Sequence, residues 1–357
     1  MKKKIAIDAR ELSQKNLTSL GYILLELINR LTDYELLLLS DVEIPSKYVS
    51  NNSRVVTRDI KYTGGIDLYK YQSWMKKVMK NEKVDCYFQI NHFSVVRTKG
   101  IKQIVVVHDL YHLEGIEKHS IKQILVYWIS LLGTMVNADK IFTVSEFTKK
   151  RLEHFFWKTP KIEVNYNGVD RPQIIPDLDS YACIDGPFCL MLGRVNYYKG
   201  TMRAVELFDK YLSKQGYRLV IAGQAKSESV IAQMNEITQR NKNIIWLNYV
   251  DDNTKEWLFQ NCSLFVYASR YDGFGIPPLE AAIRRKRSII NSIEVLKEVT
   301  KGRGNYVDFM ADDQSVVDAI VQAFKSEDSR QIEDMYEIAI NYTWDKFTDK
   351  LIKVIEQ

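Results

Sequence analysis

Short apolar runs with β character alternate with longer helical stretches along almost the whole chain, and the rhythm starts twice. Residues 5–9, 36–40, 86–90, 103–107, 140–144 and 161–165 read as strands, with helical periodicity between them at 22–31, 68–80, 121–136 and 146–155. Alternation of this kind predicts a mostly parallel sheet with helices on both faces. Runs as continuously apolar as the one ending at Val107 predict strands buried on both sides. The rhythm breaks at 170–187, a stretch with three prolines and no period that reads as a connector. It restarts with strands at 188–192, 218–222, 244–247, 264–267 and 288–291, and with helices at 202–212, 230–240, around Glu256 and after Pro278. From Ser315 onward only helical pattern remains. The expectation is an α/β chain of two doubly wound domains, 1–170 and 188–340, joined by a linker at 171–187. Ligands of open parallel sheets bind beyond the carboxyl ends of the strands, so two such sheets predict a central cleft.

A chain of 357 residues with 46% hydrophobic and 27% charged residues has the size and composition of about two globular domains. Its formal net charge of +5 is mild and lacks the dense basic cluster of a nucleic-acid binder. The four cysteines, Cys86, Cys183, Cys189 and Cys262, form no CxxC pair, and the nearest two, Cys183 and Cys189, have no histidine nearby to complete a metal set. They read as core thiols of a reducing, cytoplasmic compartment. At the N-terminus charge returns at Asp8, before a signal-peptide core can form. The uncharged stretch 124–136 is too short to span a bilayer and reads as a buried helix.

Neither half carries a GxGxxG after its first strand, and no GxxxxGK[ST] occurs, which argues against a dinucleotide dehydrogenase and a P-loop nucleotidase. Two other loops carry chemistry. The strand ending at Leu192 runs into GRVNYYKG, where Gly193 permits a tight turn and Arg194 and Lys199 flank the approach to a helix. Two cations beside a helix N-terminus suit a diphosphate, Arg as a planar fork and Lys as a point charge. Farther on, the strand ending at Tyr267 leads into DGFGIPPLE, Asp272 to Glu280. Its glycine-rich turn, Gly273 to Ile276, offers backbone N–H groups to an anion or to sugar hydroxyls. Pro278 fits the first turn of a helix, and the Glu280 carboxylate about a turn inside can accept two hydrogen bonds from a vicinal diol such as a ribose. His108 ends an apolar strand at the carboxyl edge, where ligands bind.

Together these residues resemble the retaining glycosyltransferases of family 4, with the GT-B fold. The family signature, an acidic residue, seven residues and then Glu, stands as DGFGIPPLE, and its GRxxxxKG loop as GRVNYYKG. Further matches fall in order: IDAR at 7–10, Gly21-Tyr22, HDL at 108–110, TVSEFTKK at 143–150, NGVD at 167–170 and IAG at 221–223. The resemblance implies two Rossmann-like domains facing the cleft, with the C-terminal helix 341–357 crossing back onto the first domain and Trp344 as its anchor. It implies that Glu280 binds the donor ribose and that Arg194 and Lys199, on the loop opened by Gly193, hold the diphosphate. Asp272 and the backbone of Gly273, Phe274, Gly275 and Ile276 would face the transferred sugar. Gly21 would lie close to the donor phosphate, and His108 near the reacting sugar. The implied substrate is a nucleotide sugar, UDP- or GDP-linked, with no cofactor and no metal, and the implied acceptor is a glycan or lipid-linked glycan. His92, His112, His119 and His154 match no family position. Two departures stand out: Asp272 where many members carry Glu, and one glycine in KNLTSLGYI where relatives often have a pair. A sugar-nucleotide epimerase on the same fold, and a nucleotide-sugar-binding partner of another transferase, are the alternatives. The segment 67–83 combines Lys70, Lys76, Lys77 and Lys80 with Tyr71, Trp74 and Met75, and such a basic amphipathic helix can rest on the inner face of an anionic membrane or pack inward.

Overall fold

The computed structural model describes residues 2–14, 17–58, 65–92, 97–117, 119–172, 184 and 186–357. The chain divides into two compact units, Met1–Gly168 with Thr343–Gln357, and Val169–Tyr342. Most of the segment read as a linker, including Cys183, lies outside the described residues.

The first unit is built on a seven-stranded sheet. Its strands are β1 (Lys4–Asp8), β2 (Glu35–Ser40), β3 (Ser53–Thr57), β4 (Cys86–Gln89), β5 (Lys102–Val107), β6 (Lys140–Thr143) and β7 (Ile162–Val164). They run in the order β3-β2-β1-β4-β5-β6-β7 and every pairing is parallel. Four helices connect them: α1 (Ser19–Arg30), α2 (Gly65–Asn81), α3 (Ile121–Asn137) and α4 (Glu146–Phe155). Hydroxyl caps set the starts of α1, α3 and α4. Thr18 accepts from the Gly21 N–H, Ser120 forms a reciprocal box with Gln123, and Ser145 accepts from the Thr148 N–H.

The second unit repeats the plan with six strands in the order β10-β9-β8-β11-β12-β13, again all parallel. They are β8 (Cys189–Leu192), β9 (Leu219–Ala222), β10 (Ile244–Trp246), β11 (Leu264–Tyr267), β12 (Ser288–Asn291) and β13 (Tyr306–Val307). Its helices are α5 (Thr201–Leu207), extended by a π-helical turn to Leu212, then α6 (Glu228–Arg240), α7 (Asp252–Asn261) and α8 (Ile276–Ile283). After them come α9 (Glu294–Val299), α10 (Asp313–Lys325) and α11 (Arg330–Ala339). The last helix, α12 (Trp344–Glu356), belongs to the first unit. In each sheet the strand order reverses direction at one point, between β1 and β4 and between β8 and β11. At such a switch point the connections leave toward opposite faces and open a crevice at the carboxyl edge.

One helix packs as the inward alternative foresaw, and one expectation is corrected. The Tyr71, Trp74 and Val78 face of α2 turns inward: Tyr71, Met75 and Met79 are buried in a cluster with Ala6, Leu37 and Tyr87, and Trp74 and Val78 pack against it. The stretch 124–136, read as buried, lines α3, and α3 is buried on one side only; its outer side is apolar and exposed. Strands β3 and β13 were not anticipated, because one is a half-exposed edge strand and the other spans two residues. The described thiols, Cys86, Cys189 and Cys262, are free and buried. Burial pushes their pKa values up, to about 12 for Cys86 and Cys262, so they are inert core groups.

Candidate functional site

The two loops singled out in the second half follow β8 and β11, the strands that flank the switch point of the second sheet. After β8 the chain stays beside β9, with the Gly193 N–H donating to Ala222 O (3.0 Å) and the Val195 N–H to Gln224 O (3.0 Å). It then turns through Asn196, whose Oδ1 accepts from the Lys199 N–H at 2.8 Å, and enters α5 at Gly200. Glycine is required there. Its φ is +70°, and a Cβ would lie 2.0 Å from Ala268 O, so the loop is pressed against the end of β11. The Arg194 guanidinium is exposed and makes no hydrogen bond or ion pair among the described residues.

After β11 the backbone runs through Ser269, whose hydroxyl donates to Tyr271 O (2.8 Å), to Asp272. Here the expectation of free backbone donors needs amendment. The N–H groups of Gly273 and Phe274 both engage the Asp272 carboxylate, Gly273 at 3.1 Å from Oδ1. The Phe274 ring is buried edge-on against Tyr342, 5.4 Å between centroids. Gly275 caps α8 with φ +91° and supplies no side-chain bond, and Ile276 opens that helix ahead of two prolines that have no N–H to offer.

Between the loops Lys199 and Asp272 meet. Lys199 Nζ lies 2.7 Å from Asp272 Oδ2, and the Tyr267 hydroxyl donates to the same oxygen. Burial by itself would raise the Asp272 pKa, but Lys199, Tyr267 and the Phe274 N–H outweigh it and hold the carboxyl below its ordinary value. For Lys199 burial works downward, yet the charge of Asp272 carries the net shift upward. The phenol of Tyr267 is pushed up by burial and by the neighbouring carboxylate. The pair is therefore ionised across the neutral range, with a neutral Tyr267 as donor.

Glu280 sits about one turn inside α8, mostly buried, with Lys255 Nζ of α7 at 3.4 Å from Oε1. Its Oε2 makes no hydrogen bond among the described residues. Burial lowers the Lys255 pKa, but Glu280, Asp252 and Asp170 bring the net shift upward. The next residue of α7, Glu256, pairs with Arg284 at 2.6 Å, one turn beyond Glu280. That pair is buried, Arg284 Nη1 also reaches Glu280 O (3.1 Å), and the guanidinium lies 4.9 Å from the Phe259 ring centroid. Successive residues of α7 thus fix Glu280 of α8 and its C-cap Arg284, a turn apart.

The remaining candidates belong to the first unit. Gly21 is buried in the first turn of α1, its N–H on the Thr18 hydroxyl at 3.2 Å. In the IDAR segment Arg10 grips Asp8 with two bonds, 2.9 and 2.6 Å, and lies 4.5 Å from the Tyr71 ring centroid. His108 follows β5, half-buried, hydrogen-bonded to the Ile90 backbone, and its Nε2 has no hydrogen-bond partner among the described residues. Burial pushes its pKa down to about 4, so it is a neutral imidazole at pH 7. The structure gathers histidines that no motif marked: His92 and His112 pack on the Tyr127 ring at 4.5 and 4.7 Å, and His119 lies tilted against His112 at 4.4 Å. Among the described residues no three His, Cys, Asp or Glu side chains come together in a way that could hold a metal ion.

Two polar partners escaped the sequence reading. Tyr267 carries a faint signal, a tyrosine closing an otherwise aliphatic and Phe strand beside the acidic loop. Lys255 carries none, being one more lysine on an amphipathic helix until the fold sets it on Glu280.

Residues 184–355 match the family described as Glycosyl transferases group 1, and residues 40–172 match Glycosyltransferase Family 4. An uncharacterized glycosyltransferase of Methanocaldococcus jannaschii is 25% identical over 246 residues, 64% of this chain and 62% of that protein. The serotype-specific mannosyltransferase WbdA of Escherichia coli is 23% identical over 61% of this chain, a match that spans only 29% of WbdA. The O-antigen chain mannosyltransferase B of the same species is 24% identical over 70% of this chain and 69% of its own length. Among solved structures, sucrose-phosphate synthase from Thermosynechococcus elongatus superposes with a TM-score of 0.80 at 13% identity, covering 100% of this chain and 99% of that one. HepE of Anabaena, solved with UDP and glucose, gives 0.75 at 11% identity and full coverage of both chains, 100% and 100%. With two parallel sheets of seven and six strands, the paired loops at the switch point of the second, and family matches that leave only 1–39, 173–183 and 356–357 outside, the chain belongs to the group 1, family 4 glycosyltransferases of the GT-B fold.

Proposed function

We propose that the chain transfers a hexose from a nucleotide-diphosphate sugar to a glycan or lipid-linked glycan acceptor, with retention of anomeric configuration and without a metal. The observation that carries this reading is the grouping of the exposed Arg194, the Lys199–Asp272–Tyr267 cluster and the half-satisfied Glu280 in one unit, on the elements that flank its switch point. Mannose is the sugar named in several of the relatives, and the pathway they suggest is the synthesis of a cell-surface polysaccharide.

In this reading the free oxygen of Glu280 accepts from a ribose hydroxyl, with Lys255 holding the other. Cleavage of the sugar–phosphate bond develops negative charge on the leaving diphosphate and an oxocarbenium-like sugar. Arg194 and Lys199 meet that charge, and removing one such group costs about 10²–10³ in rate. Lys199 starts 2.7 Å from Asp272, so an arriving phosphate competes with that carboxylate for the same ammonium, leaving Asp272 to the sugar hydroxyls. The front-face course usual in the family has the leaving phosphate take the acceptor proton. A neutral His108 serves the reacting sugar as a hydrogen-bonding group.

The test is a thermal-shift panel of UDP, GDP, ADP and dTDP, followed by turnover of the matching mannose or glucose donor. A nucleotide at about 100 times its dissociation constant stabilises by roughly 2.7 kcal/mol. One nucleotide is expected to raise the melting temperature, Arg194→Ala to abolish the response, and the native chain to turn the donor over. Binding without turnover in the presence of acceptor glycans would replace the enzyme by a nucleotide-sugar-binding partner; no response to any nucleotide would remove both.

A further inference from the structure

The donor loops of the second unit lie at the carboxyl edge of its sheet, and a separate cavity opens at the amino edge. It measures about 420 Å³, and its lining includes Gly186 ahead of β8, Gln215, Tyr217 and Arg218 ahead of β9, and Phe324 of α10. Two glycines shape it. Gly186 (φ +75°) and Gly216 (φ +88°) turn through the left-handed region and place no side chain in the space. A Cβ at Gly186 would come within 4.0 Å of Arg218 Nη1. The Tyr217 and Phe324 rings meet edge to face, 5.0 Å between centroids, on the flank of the unit's core. The Tyr217 phenol, the Gln215 amide and the Arg218 guanidinium make no hydrogen bond or ion pair among the described residues. Arg203 and Arg284 of the same unit hold Asp313 and Glu256, each at 2.6 Å. Arg218 is half-buried without such a carboxylate, and none lines the cavity among the described residues.

A cation that has lost part of its hydration and gained no counter-charge does nothing for the fold. We propose that the cavity is a second binding site, for a pyranose that carries an anionic group: a uronic acid unit of a glycan or a sugar phosphate. Each part of the wall has a matching feature in such a ligand. The guanidinium fork meets a carboxylate or phosphate through two parallel N–H bonds. The Tyr217 and Phe324 rings give the apolar wall for the C–H face of the sugar, and the phenol and amide, each both donor and acceptor, suit its hydroxyls. The volume falls within the roughly 300–1,000 Å³ of small-molecule sites. A neutral sugar would leave the guanidinium uncompensated, and an apolar anion would leave the phenol and amide without partners. The site is distinct from the donor loops. Strands β8 and β9 are parallel and four residues long, so the two edges of the sheet stand roughly 13 Å apart. Nucleotide and anionic sugar can therefore be bound at the same time.

The experiment is calorimetric titration of the full chain with methyl glucuronide, glucose 6-phosphate, methyl glucoside and inorganic phosphate. Each is taken to about 10 mM, where a ligand with a dissociation constant of about 1 mM is mostly bound. At least one anionic sugar is expected to bind tenfold or more tightly than both methyl glucoside and phosphate, and the tighter of the two identifies the source. Arg218→Gln should weaken that binding tenfold or more. Gln215→Trp, at an exposed position, should fill the cavity and do the same with the guanidinium in place. Both variants should keep the native thermal midpoint and nucleotide response, whereas Arg194→Ala should lose the nucleotide response and keep the sugar. The two sites are thus judged separately: a chain that ignores every nucleotide yet takes the anionic sugar through Arg218 refutes the donor reading alone. Failure of both anionic sugars to bind, equal binding of methyl glucoside, or binding that survives Arg218→Gln overturns the proposal. So does inorganic phosphate binding as tightly as both anionic sugars, since the rings would then contribute nothing. Loss of the sugar in Arg194→Ala overturns it too, by assigning that sugar to the donor loops.

Discussion

Lys199 and Asp272 are held in opposite directions from their behaviour in water, Lys199 raised and Asp272 lowered, and the opposite shifts give the sign of any pH effect. A depressed carboxyl stabilises the fold above its unfolded value and is lost as pH falls through the folded one; a raised ammonium stabilises below its unfolded value and is lost as pH climbs through the folded one. The pair's contribution is thus steady across the neutral range and fails only at the extremes. Lys199→Ala should cost about 2–4 kcal/mol in chemical denaturation, because a mostly buried carboxylate loses its cation, and should lower transfer about 10²–10³-fold. Tyr267→Phe removes one charged hydrogen bond while Lys199 stays, so a loss of about 1.5–3 kcal/mol with a smaller effect on rate is expected. Equal rate losses in the two variants would mean that Lys199 acts only as a strut for Asp272. At this scale the sequence displays the charged members of the cluster, because loop glycines and acidic spacing are local features. It does not display Tyr267 or Lys255 as their partners, because those contacts are made only when strands and helices distant in the chain are brought side by side.

Helices α2 and α3 set out what periodicity can and cannot decide about an element. Both helices are visible in the sequence, and both ends of α3 fall within a residue of where the pattern places them. The face each presents to the core is another matter. In α2 the aromatic stripe and the lysine stripe are distinct, and the aromatic one packs inward because burying Tyr71 and two methionines removes far more apolar surface than the lysines would. In α3 apolar residues surround nearly the whole helix, so the pattern contains no outer face, and the sheet can bury only one side of a single helix. Single substitutions in α2 should separate the two sides. Tyr71 is fully buried, donates its hydroxyl to Leu39 O at 3.1 Å and lies under Arg10. Tyr71→Ala should cost about 3–5 kcal/mol, while Tyr69→Ala, on the exposed side of the same helix, should change stability by less than about 0.5 kcal/mol. Urea midpoints of the two variants would check this, and a comparable loss at Tyr69 would place the lysine face against protein.

For the molecule as a whole, the connection of the terminal helix is the feature that local sequence constrains least. A closing amphipathic helix announces one apolar side but not the sheet it will cover. Here the chain leaves the first unit at Gly168, builds the second, and returns at Thr343, and the two crossings are tied by the Val169 N–H on Tyr342 O at 3.1 Å. Helix α12 buries Trp344, Phe347, Leu351 and Ile355 in the first unit. Polar ties surround them: Asn165 Nδ2 to Phe347 O at 3.0 Å, Arg30 to Asp345 at 2.7 Å and the Tyr34 hydroxyl to Glu356 at 2.8 Å. Four such side chains contribute roughly 6–12 kcal/mol at about 1.5–3 kcal/mol each. That is comparable to the 5–15 kcal/mol that holds a typical domain together. A chain ending at Tyr342 should therefore lose the first unit while keeping the second, although the excised segment follows the second in sequence. Hydrogen exchange reads the two separately: amides of β1 to β7 should lose protection by several orders of magnitude, and those of β8 to β13 should hold theirs. If both sets exchange as in the full chain, the helix is an accessory; if both collapse, the units are a single cooperative body. Loss confined to the first is the outcome the packing requires.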